Sequence, residues 1–144
     1  MIRKQIAQKY AESVKGNERE SLGRVGSSLG SAEDVDMAFT SIDMGFNTGI
    51  FKTLELIHTI PKERLSLQYL SKIRTGINYS GMLLRFYRFN KKPPKPCPLP
   101  IRIIKYLYKK MTLSKIDYAM YMTSEKARTK FYNTINRSSE NKID

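Results

Sequence analysis

A chain of 144 residues with 40% hydrophobic side chains is long enough for one ordinary domain, which would bury roughly two thirds of its extended surface. Its formal net charge of +13 rests on one half: residues 1–60 hold seven Lys/Arg against eight Asp/Glu, and residues 61–144 hold nineteen against five. A single cysteine, Cys97, and a single histidine, His58, exclude an intrachain disulfide, the usual zinc sites and catalysis by paired histidines.

Residues 2–15 set Ile2, Ile6, Tyr10 and Val14 at steps of four, the period of an amphipathic helix. Gln5, Gln8, Lys9 and Glu12 stand where a secretory signal would be apolar, and Glu12 with the acids that soon follow sets the segment apart from an organelle-targeting peptide. Residues 16–30 hold four glycines and three serines, which predicts a mobile linker. Residues 1–30 then read as an N-terminal helical arm able to dock on a neighbouring copy or a partner. Ser31 and Asp34 form an S-x-x-D helix start, followed at helical spacing by Val35, Ala38, Phe39, Ile42 and Phe46. Val35, Met37 and Phe39 fit a short strand equally well, so an α+β alternative with a strand near 35–44 stays open. Gly45 and Gly49 interrupt, and Asn47–Thr48 can cap a helix whose stripe is Ile50, Leu54, Ile57 and His58, ended by Pro61.

From Arg64 to Arg74, Leu65, Leu67, Tyr69, Leu70 and Ile73 share one half of a helical wheel, and Gly76 is expected to stop that helix. Asn78 or Ser80 then caps a helix running to about Asn90, apolar at Leu83, Leu84, Phe86, Tyr87 and Phe89 and basic at Arg85 and Arg88. Two helices joined by a glycine turn have the outline of a helix-turn-helix. Residues 91–100 hold five prolines and three lysines, an extended and fairly stiff connector. Pro100 opens a helix with Arg102, Lys105, Lys109 and Lys110 on one side and Ile101, Ile103, Ile104, Leu107, Tyr108 and Met111 on the other. A mostly apolar helix from about Leu113 to Met122 should be central. Thr123–Ser124 is expected to cap a last helix to about Arg137, with Ala127, Phe131 and Ile135 inward and Lys126 and Lys130 outward. No run approaches the roughly 20 apolar residues of a spanning helix. The expected fold is mainly α: a compact basic domain of about five to six helices over residues 31–137, preceded by the arm at 1–30 and followed by a polar tail at 138–144.

Phosphate-binding loops, nucleophile elbows and C-x-x-C pairs are lacking. A helix N-terminus accounts for Glu33, Asp34 and Asp36, an apolar stripe for His58, and solvent exposure for Cys97. The chain is therefore expected to be no enzyme and to need no cofactor or metal. Its positive signal lies between Glu63 and Asp117, where 53 residues carry thirteen Lys/Arg and no acid. An ordinary solvated helix mixes signs for local pairing, and unpaired cations lower their free energy on a polyanion. Arginines set among Tyr and Phe suit nucleic acid, pairing with phosphates and stacking on bases. The expected contacts are Arg85, Arg88, Lys91, Lys92, Arg102, Lys105, Lys109 and Lys110, with Phe89 and Tyr106 as stacking groups. The alternative is a peripheral membrane or viral matrix-type protein that assembles on anionic lipid, because Lys-flanked Tyr and Leu also suit an interface. Self-association is expected through residues 1–30 and the neutral N-terminal half. The absence of a signal peptide and of a spanning segment makes an intracellular location the expectation.

Overall fold

A computed structural model describes residues 2–15, 22–24, 29–49, 52–53 and 55–140, the last three by backbone only. Five helices follow in order: α1 (Lys4–Val14), α2 (Glu33–Asp43), α3 (Leu67–Phe89), α4 (Leu99–Thr112) and α5 (Lys115–Glu140). A 3₁₀ turn, Lys62–Leu65, leads into α3. There is no strand among the described residues, and the segment 35–44 that fitted a strand by alternation is helical as far as Asp43.

The long α3 is where the local reading of the sequence fails first. Ser66 caps it by accepting the Tyr69 N–H at 3.3 Å, and the helix then runs through Gly76 without a break to Asn90. Asn90 takes a left-handed conformation, φ 51°, and the Lys91 N–H closes the end on the Arg85 carbonyl. Gly76 serves approach instead of termination: a Cβ placed there would lie 2.3 Å from the carbonyl oxygen of Leu29. One turn on, Ser80 accepts the Ser31 N–H at 3.1 Å while donating back to the Gly76 carbonyl. The segment 29–32 thus rests directly on α3, and the helix-turn-helix outline is replaced by a single rod. Ser31 is used as a backbone donor, and α2 begins after Ala32 with no side-chain cap; the acids Glu33, Asp34 and Asp36 do occupy its first turn.

α5 is likewise continuous where a break at Thr123–Ser124 was expected. Thr123 donates its hydroxyl to the Met120 carbonyl within the helix at 2.7 Å, a bond that removes its capping role. The cap lies earlier, at Ser114, whose hydroxyl accepts the Asp117 N–H and donates to the Asp117 carboxylate. α3 and α5 pack on each other and make the core, with Leu22, Ala32, Tyr79, Leu83, Leu84, Ala127, Phe131 and Ile135 buried together. Phe131 sits edge-on to Phe86 and to Tyr132. The inward residues expected on α5 are therefore the inward residues found, and Lys126 and Lys130 are exposed as expected.

α1 packs on α2, burying Ile6, and Leu22 is wholly buried in the core. The linker expected at 16–30 falls largely on positions 16–21 and 25–28, outside the described residues. The helix expected after Asn47–Thr48 is not present over 55–60, which has no regular structure and leaves Leu56 and Ile57 almost fully exposed. Ile50 and Leu54 of its stripe lie outside the described residues. Ile57, Thr59 and Ile60 are β-branched and the last precedes Pro61, where helical φ/ψ is disfavoured, and Ile57 and His58 of the stripe are exposed. Residues 91–98 have no regular structure, and the last two positions of the expected connector, 99 and 100, are helical; the segment is held to α5 by the Tyr132 hydroxyl, which donates to the Pro93 carbonyl.

Candidate functional site

α4 begins at Leu99 with Pro100 in its first turn, where a missing N–H costs nothing, and ends with Lys109 and Lys110 against the negative end of its dipole. Its two faces are those expected from the sequence. Their orientation is reversed. Arg102, Lys105, Tyr106 and Lys109 are half-buried on the side toward the body. Leu99, Ile101, Ile103, Ile104, Leu107, Tyr108 and Met111 are each at least half exposed, reaching 68% at Ile104 and 87% at Met111. None of the residues of α4 is fully buried.

The reason for the inversion lies on α5, the helix on which α4 packs. Tyr106 meets Tyr121 edge-on with ring centroids 6.0 Å apart, and Tyr121 in turn lies beside Tyr118. One turn further Glu125 is buried and paired with Arg128 at 3.0 Å. This flank of α5 offers phenols, a carboxylate and a guanidinium, which suit the polar side of α4 better than its aliphatic side. Burial, followed by the negative charge of Glu125, raises the pKa of both Tyr106 and Tyr121; Arg102 and Arg128 pull the Tyr106 value the other way. The Tyr121 hydroxyl and the Arg128 Nε are buried here without a hydrogen-bond partner.

The other basic candidates separate into two groups. Arg85, Lys91 and Lys92, at the C-terminal end of α3 and just beyond it, are exposed, as is Lys110 on α4; the Lys92 ammonium rests 5.4 Å from the centre of the Phe86 ring. Arg88 is different. Its guanidinium bonds the carboxylates of Asp36 and Asp43, the Asp36 carbonyl at 2.9 Å and the Thr40 hydroxyl at 2.8 Å. Burial alone would lower its pKa, but the hydrogen bonds and charges of the two carboxylates outweigh it and the pKa is raised. Arg88 thus locks α2 onto α3 and is committed to the fold. The expected stacking groups also have partners: Phe89, half-exposed, stands edge-on to Phe39 at 5.4 Å, and Tyr106 is docked on Tyr121.

The exposed aliphatic face of α4 is the candidate feature that composition and charge did not single out. Two signals carried it: an apolar arc covering about half the helical wheel, and a following helix that sets two phenols, a carboxylate and a guanidinium on one face at 118, 121, 125 and 128. No family model, curated protein or solved structure matches the chain. No group of acids, cysteine and histidine among the described residues is arranged to hold a metal ion, and no helix among them is long and apolar enough to cross a membrane.

Proposed function

We propose that the protein docks peripherally on anionic lipid, with α4 as the docking helix, and works there as a non-enzymatic assembly protein. The orientation of α4 is the observation that supports this reading: its aliphatic face points away from the body while the chain as a whole carries +13. A phosphodiester backbone offers nothing to seven aliphatic or aromatic side chains, whereas the acyl boundary of a bilayer removes them from water. Lys105 and Lys110 flank the apolar arc on either side, and exposed Lys115 follows it, so that cations lie level with the headgroups when the arc is immersed. Each contributes about 1 kcal/mol near an anionic surface. The cytoplasmic leaflet, rich in such lipid, is the surface that fits.

The test is sedimentation of the purified chain with phosphatidylserine vesicles and with phosphatidylcholine vesicles. Binding to the former that is lost in Ile104→Asp/Leu107→Asp, with helix content kept, supports α4 as the docking helix. A wild-type chain that ignores both vesicles and forms an oligomer abolished by the same pair of substitutions would overturn it in favour of a second copy as the occupant. The nucleic-acid reading keeps one supporting observation of its own, the exposure of Arg85, Lys91, Lys92 and Lys110. If those four alone met phosphates, log K for a labelled duplex would fall against log salt with a slope of about −3.5.

A further inference from the structure

On the flank of α5 away from α4, a groove of about 560 Å³ opens between α3 and α5. By helical period its α5 residues, such as Ala119 and Lys126, lie about 140° around the helix from Tyr121 and Glu125, which face α4. Lys72 stands on its α3 wall, Lys126 and Lys130 on its α5 wall, and none of the described residues that line it is acidic. Ala119 keeps the α5 wall low, while Gly76 on the α3 wall lies against the Leu29 carbonyl at the edge of the groove. The Lys130 ammonium lies over the Tyr79 ring at 4.3 Å, so one cation is already positioned by a cation–π contact, and Tyr79 itself is anchored by a 2.9 Å hydrogen bond to Thr134.

We propose that this groove binds a small ligand carrying two or more phosphate groups. Three ammonium groups on two facing walls, with Ser71 and Gln68 as neutral donors beside them, match an anion that is multiply charged and compact. Three lysines that share one cavity, with no carboxylate among its described lining residues, repel one another, and a polyphosphate relieves that repulsion. A single phosphate could satisfy only part of the set. Clustered phosphates occur both on free nucleotides or polyphosphates and on the headgroups of phosphoinositides. The groove's position favours the free form, because a flat bilayer that receives the outer face of α4 does not reach a flank turned so far from it.

The experiment is calorimetry of the full chain with inorganic tripolyphosphate and orthophosphate, repeated on Lys72→Ala/Lys126→Ala/Lys130→Ala and on Lys4→Ala/Lys9→Ala/Lys15→Ala, which removes the same charge from α1 and the residue that follows it. The expected result is one tripolyphosphate per chain, orthophosphate at least tenfold weaker, and an affinity at least tenfold lower in the groove variant with the α1 variant unchanged. Equal losses in both variants, or many weak sites, would overturn the proposal by showing that net charge alone attracts the anion. In parallel, vesicles of phosphatidylserine with and without bisphosphorylated phosphoinositide identify the source. A phosphoinositide preference that the groove variant alone loses assigns the site to a headgroup; retained tripolyphosphate binding without such a preference assigns it to a free ligand. Loss of α4-dependent binding to plain phosphatidylserine bears on the docking helix and leaves the groove result standing.

Discussion

Asp36, Thr40 and Asp43 lie four and three residues apart, which puts them on one face of α2, and all three acceptors converge on the single guanidinium of Arg88. That spacing was present in the sequence, but acids in a first helical turn already had a sufficient local explanation, and the partner 52 residues away had none. Arg88→Ala would take from Asp36, which has no solvent exposure, the guanidinium that pairs with its charge, and is expected to cost about 3–5 kcal/mol by urea denaturation. Arg88→Lys should recover only part of this, since one ammonium cannot replace a fork that serves four acceptors. Tyr121 gives a residue-scale effect of the opposite sign. Its buried hydroxyl has no partner, so Tyr121→Phe is expected to be neutral or to stabilise by about 1 kcal/mol. The same variant tests the raised phenol pKa values. Below the ordinary phenol value of about 10 both states hold the proton; above it the unfolded chain releases first, so this contribution to stability is lost as pH rises through the higher folded value. Stability of Tyr121→Phe should fall less steeply than wild type as pH rises above about 10.

At the scale of elements, helices that announce themselves by period were legible: α1, α2, α4 and the inward row Ala127, Phe131 and Ile135 of α5 stand where spacing placed them. The breaks were not legible, because a glycine or a threonine has more than one use. Gly76 looks like a stop until the Leu29 carbonyl is seen above it, and Thr123 looks like a cap until its hydroxyl turns back on its own helix. Gly76→Ala should therefore destabilise by about 1–3 kcal/mol, despite alanine's higher helix propensity, because the clash is with backbone. For α4 the faces were legible and their direction was not, since direction depends on what α5 offers. That leads to a paired expectation. Ile104→Ser/Leu107→Ser, on the exposed face, should change unfolding free energy by no more than about 0.5 kcal/mol per site, as surface changes do. Leu83→Ala, in the core, should cost about 2–5 kcal/mol. A large loss in the α4 variant would mean that its aliphatic face is covered by the protein itself.

For the molecule as a whole, the excess of positive charge acts on folding and on binding with opposite signs. Among the described residues, ion pairs lie at Arg88 and at Glu125–Arg128; Arg88–Asp36 and Glu125–Arg128 are largely shielded from solvent and so little affected by salt, whereas Asp43 is exposed. Exposed cations such as Arg74, Arg85, Lys91, Lys95 and Lys110 share a surface with few acids and repel one another across it. Added salt screens that repulsion, so raising sodium chloride from about 20 to 300 mM, which shortens the Debye length from about 20 Å to under 10 Å, should raise the melting temperature. The same change should weaken attachment to anionic vesicles, because each cation near the headgroups loses part of its attraction, while the contribution of the aliphatic face of α4 persists. One salt series measured by calorimetric melting and by vesicle sedimentation therefore separates the two uses of the charge. A rising melting temperature with a falling but non-zero bound fraction is the expected outcome. Binding that vanishes completely by 300 mM would show that cations alone hold the surface and that Ile103, Ile104, Leu107 and Met111 do not enter it.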